Sequence, residues 1–215
     1  MLNSINMENR EKQSKEQQIL MAAEQEFLTK GYDGARTTSI SKAAGVTHAM
    51  LHYYFRTKEQ LFERIVDSKF SLMAQSMIAA FGNPNHSIVE RIRGGIGLHF
   101  DYIAQNPQFP RFVINEIISR PERYDILYSR MRGIVDSIYD NLQRDMDLAA
   151  ERGEIEQIDV RMLFISIMSL NIFTFLAYPF MEPLMGELMA DREAFLEKRK
   201  EENIATIMCR IKAKQ

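Results

Sequence analysis

Apolar residues recur three and four positions apart along most of this chain, the spacing that lines one face of an α-helix. The pattern predicts nine helices, over 14–30, 38–44, 48–55, 58–81, 87–105, 108–118, 120–151, 159–180 and 190–212. Gly31, Gly45, Gly82-Asn83-Pro84, Asn106-Pro107, Pro121 and Gly153 punctuate them. Four Ser/Thr residues are followed three positions later by Glu/Gln: Ser14/Gln17, Thr57/Gln60, Ser87/Glu90 and Ser119/Glu122. Each pair is a helix-start signature, because the hydroxyl accepts from a free N–H of the first turn. No strand-like alternation persists, so the expected fold is all-α. Residues 1–13 are polar and aperiodic and read as a flexible arm.

Within this pattern, residues 37–58 (TTSISKAAGVTHAMLHYYFRTK) stand apart. They predict two short helices around a tight turn. Ile40, Ala43 and Ala44 give the first helix an apolar face, Gly45 makes the turn, and Val46 anchors it. Thr47 suits the N-cap of the second helix, whose Leu51 and Phe55 sit i, i+4 on one side. The opposite side carries His48, Ala49, Met50, His52, Tyr53 and Tyr54. A helix–turn–helix presents such a polar, aromatic face to the major groove of DNA.

The segment from Ser14 to Phe62 resembles the DNA-binding domain of tetracycline-repressor-type (TetR-family) regulators. The resemblance is carried by Ile19, Ala22, Ala23, Phe27, Gly31-Tyr32, Thr37-Thr38, Ile40, Ala43-Ala44-Gly45-Val46, Leu51, Tyr54-Phe55, Lys58-Glu59 and Leu61, in order and without a gap. It implies an arm at 1–13, a DNA-binding domain at 14–62, and a helical ligand-binding and dimerisation domain at 63–215. The family pattern implies a phosphate contact near Thr37 and Thr38. Lys58, at the next helix start, also suits a phosphate. Thr47, His48, Ala49 and Met50 would face base edges, with His48 on a purine and Ala49 and Met50 near thymine methyls. His52 stands where the family more often has Tyr directed at a phosphate. Tyr54 is a second phosphate donor, and Tyr53 is either a contact or packing.

Composition changes this picture little. Lys and Arg number 27 against 29 Asp and Glu, a net charge of −2, and 46% of residues are hydrophobic. That balance is of a soluble globular protein and excludes a generic polyanion binder. A single cysteine, Cys209, leaves no internal disulfide and fits a reducing cytoplasm. The start of the chain lacks the order of a secretory signal. Residues 162–181 carry no charge, which is spanning length for a bilayer. Ser166, Ser169, Asn171 and Thr174 interrupt that run, and it reads as a buried or interface helix rather than a membrane span.

Other chemistries lack part of their pattern in this chain. His48 and His52 have the i, i+4 spacing of two metal ligands, but Ala49 replaces the Glu of a catalytic zinc helix and a third ligand is not evident. There is no P-loop, dinucleotide fingerprint or nucleophile elbow, so neither an enzyme nor a cofactor is expected. Cys209 beside Arg210 and the run around Glu201-Glu202 read as ordinary helix surface.

A palindromic operator requires a twofold reader, and the family forms its dimer from the last two long helices, here 159–180 and 190–212. The second domain is rich in Met and Phe, which suits an adaptable cavity for an apolar small-molecule effector. Candidate lining residues are His99, Phe100, Ile103, Phe112, Glu116, Met131, Val135, Phe164, Met168, Asn171 and Phe175, with Asn171 the strongest lead because a buried amide requires partners. The expected protein is a homodimeric, ligand-responsive repressor. The alternatives are a membrane-associated helical protein using 162–181 and a metal-binding helical protein using His48 and His52.

Overall fold

The computed structural model describes the backbone of residues 2–83 and 85–213. Side chains are described from residue 14 onward, except at 76, 84, 124–127, 129–131, 133–135, 137–138 and 214–215. Among the described residues there are nine α-helices and no strand: α1 Leu2–Gly34, α2 Thr37–Ala43, α3 His48–Tyr54, α4 Lys58–Phe81, α5 Ile88–Gln105, α6 Phe109–Val113, α7 Tyr124–Glu151, α8 Val160–Met185 and α9 Arg192–Ile211. A π-helical turn, Ile114–Ile118, and a 3₁₀ turn, Pro121–Arg123, lie between α6 and α7.

Residues pack into two compact units, one of 1–70 with 112–126 and one of 71–111 with 127–215. The segment 112–126, placed with the second domain in the sequence reading, packs on the first unit instead.

The first unit is built on Ile19, Ala23, Phe27, Ile40, Leu51, Leu61 and Phe62, each at most 1% exposed. Phe62 meets Phe27 edge-on at 5.3 Å and Tyr32 edge-on at 5.1 Å, and Phe112 packs at 5.6 Å from its other neighbours' shared ring, Phe62. Burying each such ring is worth about 2–3 kcal/mol. The helix backbone starts at Leu2 rather than 14, so Ser14 is not an N-cap; Glu, Gln, Lys and Met are good helix formers. A kink at Gly31 (φ 67°, ψ 177°) divides α1 near its end.

The second unit buries Ile92, Ile96, Leu142, Met146, Leu163, Ile167, Ile207 and Ile211 among α5, α7, α8 and α9. The Ser87/Glu90 signature is realised as a reciprocal capping box. Gly95 is required here, because a side chain would collide with the Phe81 ring. Arg91, buried, donates from Nε to the Phe81 carbonyl at 2.5 Å and from Nη1 to Asp145 at 2.7 Å, which caps the end of α4. Helix α8 passes the expected stop near 180 and runs on to Met185. Pro179 and Pro183 lie on its exposed side. Ser119 ends the π-turn instead of starting a helix.

Candidate nucleic-acid interface

The α2–turn–α3 element has the local bonds that its sequence calls for. Gly45 takes φ +65° with open space around it, and Val46 N–H donates to the Ser41 carbonyl at 3.0 Å. The Thr47 hydroxyl accepts from Met50 N–H at 3.1 Å, capping α3. Leu51 and Phe55 are buried, which turns the other side of α3 outward. Thr47, His48, Ala49, His52 and Tyr53 are exposed, and Met50 and Tyr54 are half-buried. Ile40 and Ala44 point inward, but Ala43 is exposed and Val46 is half-buried, so the apolar face of α2 is narrower than expected.

The exposed side chains are ordered by one another. The Thr37 hydroxyl lies 3.0 Å from His48 Nε2. The His48 and His52 rings meet edge-to-face at 4.4 Å, as Tyr53 and Tyr54 do at 5.4 Å. His52 donates from Nδ1 to the Arg56 carbonyl at 3.3 Å, which fixes its tautomer, since a carbonyl only accepts. The N-cap of α2 is Arg36, without a side-chain bond, so neither Thr37 nor Thr38 caps it. Thr38 is exposed, and its carbonyl accepts from the Ser41 hydroxyl at 3.1 Å. Lys58 opens α4, behind a Thr57 hydroxyl that accepts from Gln60 N–H, and its ammonium lies 4.5 Å from the centre of the Tyr32 ring.

Two of the candidate effector residues, Glu116 and Phe112, pack in the first unit. Glu116, 7% exposed, is bonded by Arg123 Nη1 at 2.8 Å and presses on Gly31 where no side chain would fit. Phe112 packs on Phe62 in the first unit. A buried carboxylate needs a buried cation, and Arg123 supplies it; this demand, rather than a ligand, explains Glu116. Arg123 also lies 4.3 Å from the Tyr32 ring centre and 4.8 Å from that of Phe62, and Arg120 pairs with Asp33 at 2.7 Å. Burial, followed by the Glu59 carboxylate, pushes the Tyr32 phenol up to about 12. In the sequence Tyr32 stands out only as part of the Gly31-Tyr32 pair, and Arg120 and Arg123 only by their i, i+4 and i, i+7 placement after Glu116.

In the second unit, Asn171 is fully buried and forms the centre of a polar layer. Its Nδ2 donates to the Ile96 carbonyl and to His99 Nδ1, both at 3.0 Å, and its Oδ1 accepts from Asn203 Nδ2 at 2.9 Å. Burial pushes the His99 imidazole down to about 4. Phe100, Ile103 and Phe175 form an apolar cluster with Leu196, while Phe164 joins the larger core and Met168 is half-buried. The side chains of Met131 and Val135 lie outside the described residues. Asn203 is the residue that the sequence reading did not foresee. An open cleft of about 900 Å³ lies in the first unit, between α1 and the α2–α3 turn, and is lined by none of the candidate effector residues.

Helix α8 is long and apolar enough to cross a membrane. Met162, Ile165, Phe173, Phe180 and Leu184 are exposed on it. Between them, the exposed Ser166 and Ser169 turn their hydroxyls back to the Met162 and Ile165 carbonyls at 2.9 and 2.7 Å, which leaves a small, apolar surface. Among the described residues, no three His, Cys, Asp or Glu side chains gather as a metal site.

The family model described as bacterial regulatory proteins, tetR family, matches residues 19–65, and the one described as tetracyclin repressor-like, C-terminal domain, matches residues 89–207. The helix–turn–helix transcriptional activator FasR of Mycolicibacterium smegmatis is 25% identical over 160 residues, which cover 72% of this chain and 68% of that protein. The helix–turn–helix transcriptional repressor NicS of Pseudomonas putida is 27% identical over 101 residues, 46% of each chain. The ketosteroid transcriptional regulator KstR2 of Mycobacterium tuberculosis shares the fold with a TM-score of 0.66 at 16% identity, over 93% of this chain and 95% of that one.

Proposed function

We propose, for a chain that belongs to the TetR family of bacterial regulatory proteins, the role of a homodimeric repressor that binds a palindromic operator and is released by a small apolar effector. The family is one of non-enzymatic, DNA-binding transcriptional regulators. The observation that carries the operator reading is the outward face of α3: Thr47, His48, Ala49, His52 and Tyr53 exposed around a helix whose Leu51 is buried. In this reading His48 meets a purine edge, Ala49 and Met50 meet thymine methyls, and Thr38, Tyr54 and Lys58 hold phosphates. Thr37 supports His48, and His52 and Tyr53 complete the surface.

The exposed apolar stripe of α8 supports a second copy of this chain as its partner. A dimer covers Phe173 and Phe180, which a soluble monomer would leave in water. The same stripe is what a membrane reading would use, so gel filtration without detergent separates the two. The dimer reading expects a soluble species of twice 25.0 kDa. The effector reading rests on the polar layer His99–Asn171–Asn203 beside the cluster of Phe100, Ile103 and Phe175, which offers apolar walls and a few oriented polar atoms. The role is placed in the cytoplasm, where an operator is accessible. Relatives carry the names of both activators and repressors, and a promoter–reporter assay decides the direction.

The test of the operator reading is selection from a random duplex pool with the purified protein. A recurring palindrome, bound with a steep salt dependence, is expected. Recovery of no common sequence would overturn it.

A further inference from the structure

Lys58 is held in an unusual way for a surface cation. Its ammonium lies 4.5 Å from the centre of the Tyr32 ring, so a neutral π face tethers it. An ion pair would occupy its N–H donors, whereas a ring leaves them available to a phosphate oxygen. Tyr32 is in turn fixed by Arg123, whose guanidinium carbon is 4.3 Å from the same ring centre. Two cations on one ring repel each other unless one is neutralised. Glu116 does this for Arg123, at 2.8 Å from Nη1, and both residues are 7% exposed. Glu116 in turn is seated against Gly31, next to Tyr32 in the chain.

A second carboxylate, Asp33, is the natural competitor for Lys58. Arg120 takes it at 2.7 Å. The Arg120 bond first, with the charge of Lys58 among the smaller contributions, holds the Asp33 carboxyl below its usual range. Every one of these groups lies in the first unit, and the two arginines come from the 112–126 segment that packs there.

We propose that Arg123 and Arg120 are positioning residues for the DNA contact of Lys58: Arg123 fixes the Tyr32 ring beneath the ammonium, and Arg120 occupies the carboxylate that would otherwise take it. Neither arginine needs to touch DNA. The inference rests on the operator reading above, with Lys58 on a phosphate.

The experiment is a double-mutant cycle on the selected operator, read as affinity and as its salt dependence. Arg123→Met is measured alone and together with Lys58→Met, with Tyr32→Leu and Tyr32→Phe in parallel. With Lys58 present, Arg123→Met and Tyr32→Leu each weaken binding about tenfold and lower the salt slope by about 1, as if one phosphate contact were lost. Tyr32→Phe keeps the ring but releases the Glu59 carboxylate from the phenol, so it is measured together with Glu59→Gln, and that pair binds as Glu59→Gln alone does. In the Lys58→Met background, Arg123→Met changes affinity less than about twofold. Arg120→Met, which removes the longer Arg120 contact to Glu116 at 3.7 Å but leaves Arg123 on that carboxylate at 2.8 Å, weakens binding only while Asp33 is present, and Asp33→Asn restores it. A merely structural arginine would weaken binding equally in both backgrounds and leave the salt slope unchanged, and that result overturns the inference while the operator reading stands. Failure of the unaltered protein to bind any selected duplex overturns both.

Discussion

The Thr37 hydroxyl stands 3.0 Å from Nε2 of His48, and this bond joins the start of α2 to the start of α3. The bond engages Nε2, so under the proposed operator reading the other ring nitrogen of His48 is the one turned to a base. The His52 ring, edge-to-face at 4.4 Å, supports His48 from the next turn. Thr37→Val is therefore expected to relax base preference at the position read by His48 by about 1 kcal/mol, a few-fold to tenfold, while Thr37→Ser retains it. Selection from a random pool with each variant measures this. A uniform loss across all sequences, with the preferred base unchanged, would instead make Thr37 a phosphate contact only.

The two glycines with positive φ that flank α2 are expected to behave differently. Gly31 and Gly45 have nearly equal φ values, 67° and 65°. Around Gly45 there is open space, so Gly45→Ala meets only the left-handed backbone cost, about 1 kcal/mol. At Gly31 the added methyl would run into the Glu116 carboxylate, which is buried and paired with Arg123 and cannot move aside freely. Gly31→Ala is expected to cost about 3 kcal/mol, from backbone strain and a disturbed buried ion pair together. Urea unfolding of both variants gives the order; equal losses would show that the carboxylate yields.

This contrast marks the limit of what the sequence makes legible. Helix α3 and its outward face follow from Thr47, Leu51 and Phe55, because the bonds and the burial that orient it are local. The Ser87/Glu90 box is legible for the same reason. Ser119/Glu122 has the same letters, yet Ser119 closes a π-turn, since its N–H donates back to the Ile114 carbonyl. Ser14 shows the opposite failure: the helix has already begun, so no free N–H awaits its hydroxyl. The surroundings of Glu116 are not legible because what buries it, Gly31 and the aromatic rings beside Arg123, is distant in the chain. A carboxylate on an apolar helix gives no sign of which remote residue has left room for it. Asn171 was legible as a buried amide needing partners, but His99 and Asn203 as those partners depend on how α5 and α9 pack.

Acid stability is expected to depend on His99. Burial lowers its pKa from 6.5 to about 4, so the unfolded chain takes up a proton at a pH where the folded one does not. Stability from this group is therefore complete above pH 6.5 and declines as pH falls toward 4. The loss by pH 4.5 is about 2–3 kcal/mol. His99→Asn removes the titrating group, so the difference in unfolding free energy between pH 7 and pH 4.5 should shrink by that amount. Parallel urea titrations at the two pH values measure it; an unchanged difference would place the acid sensitivity elsewhere.

Phe173 and Phe180 are 65% and 70% exposed, seven positions apart on one side of α8. Ser169, one turn before Phe173, has its hydroxyl bonded to the Ile165 carbonyl and so adds no polar demand to that side. A surface of this kind is stable in water when a second copy covers it. Phe173→Glu with Phe180→Glu places two like charges at a twofold interface and desolvates them, while a monomer keeps them in water at little cost. The doubly substituted protein should elute at half the mass of the unaltered protein with its helix content retained. Because a palindrome is read by two α3 helices at once, operator affinity should fall by more than a hundredfold, whereas affinity for an isolated half-site should stay within about threefold. Gel filtration and fluorescence anisotropy on full-site and half-site duplexes separate these outcomes. Retention of the larger species would exclude this face of α8 as the dimer contact. Loss of both affinities together would show that the substitutions damage the DNA-reading unit itself.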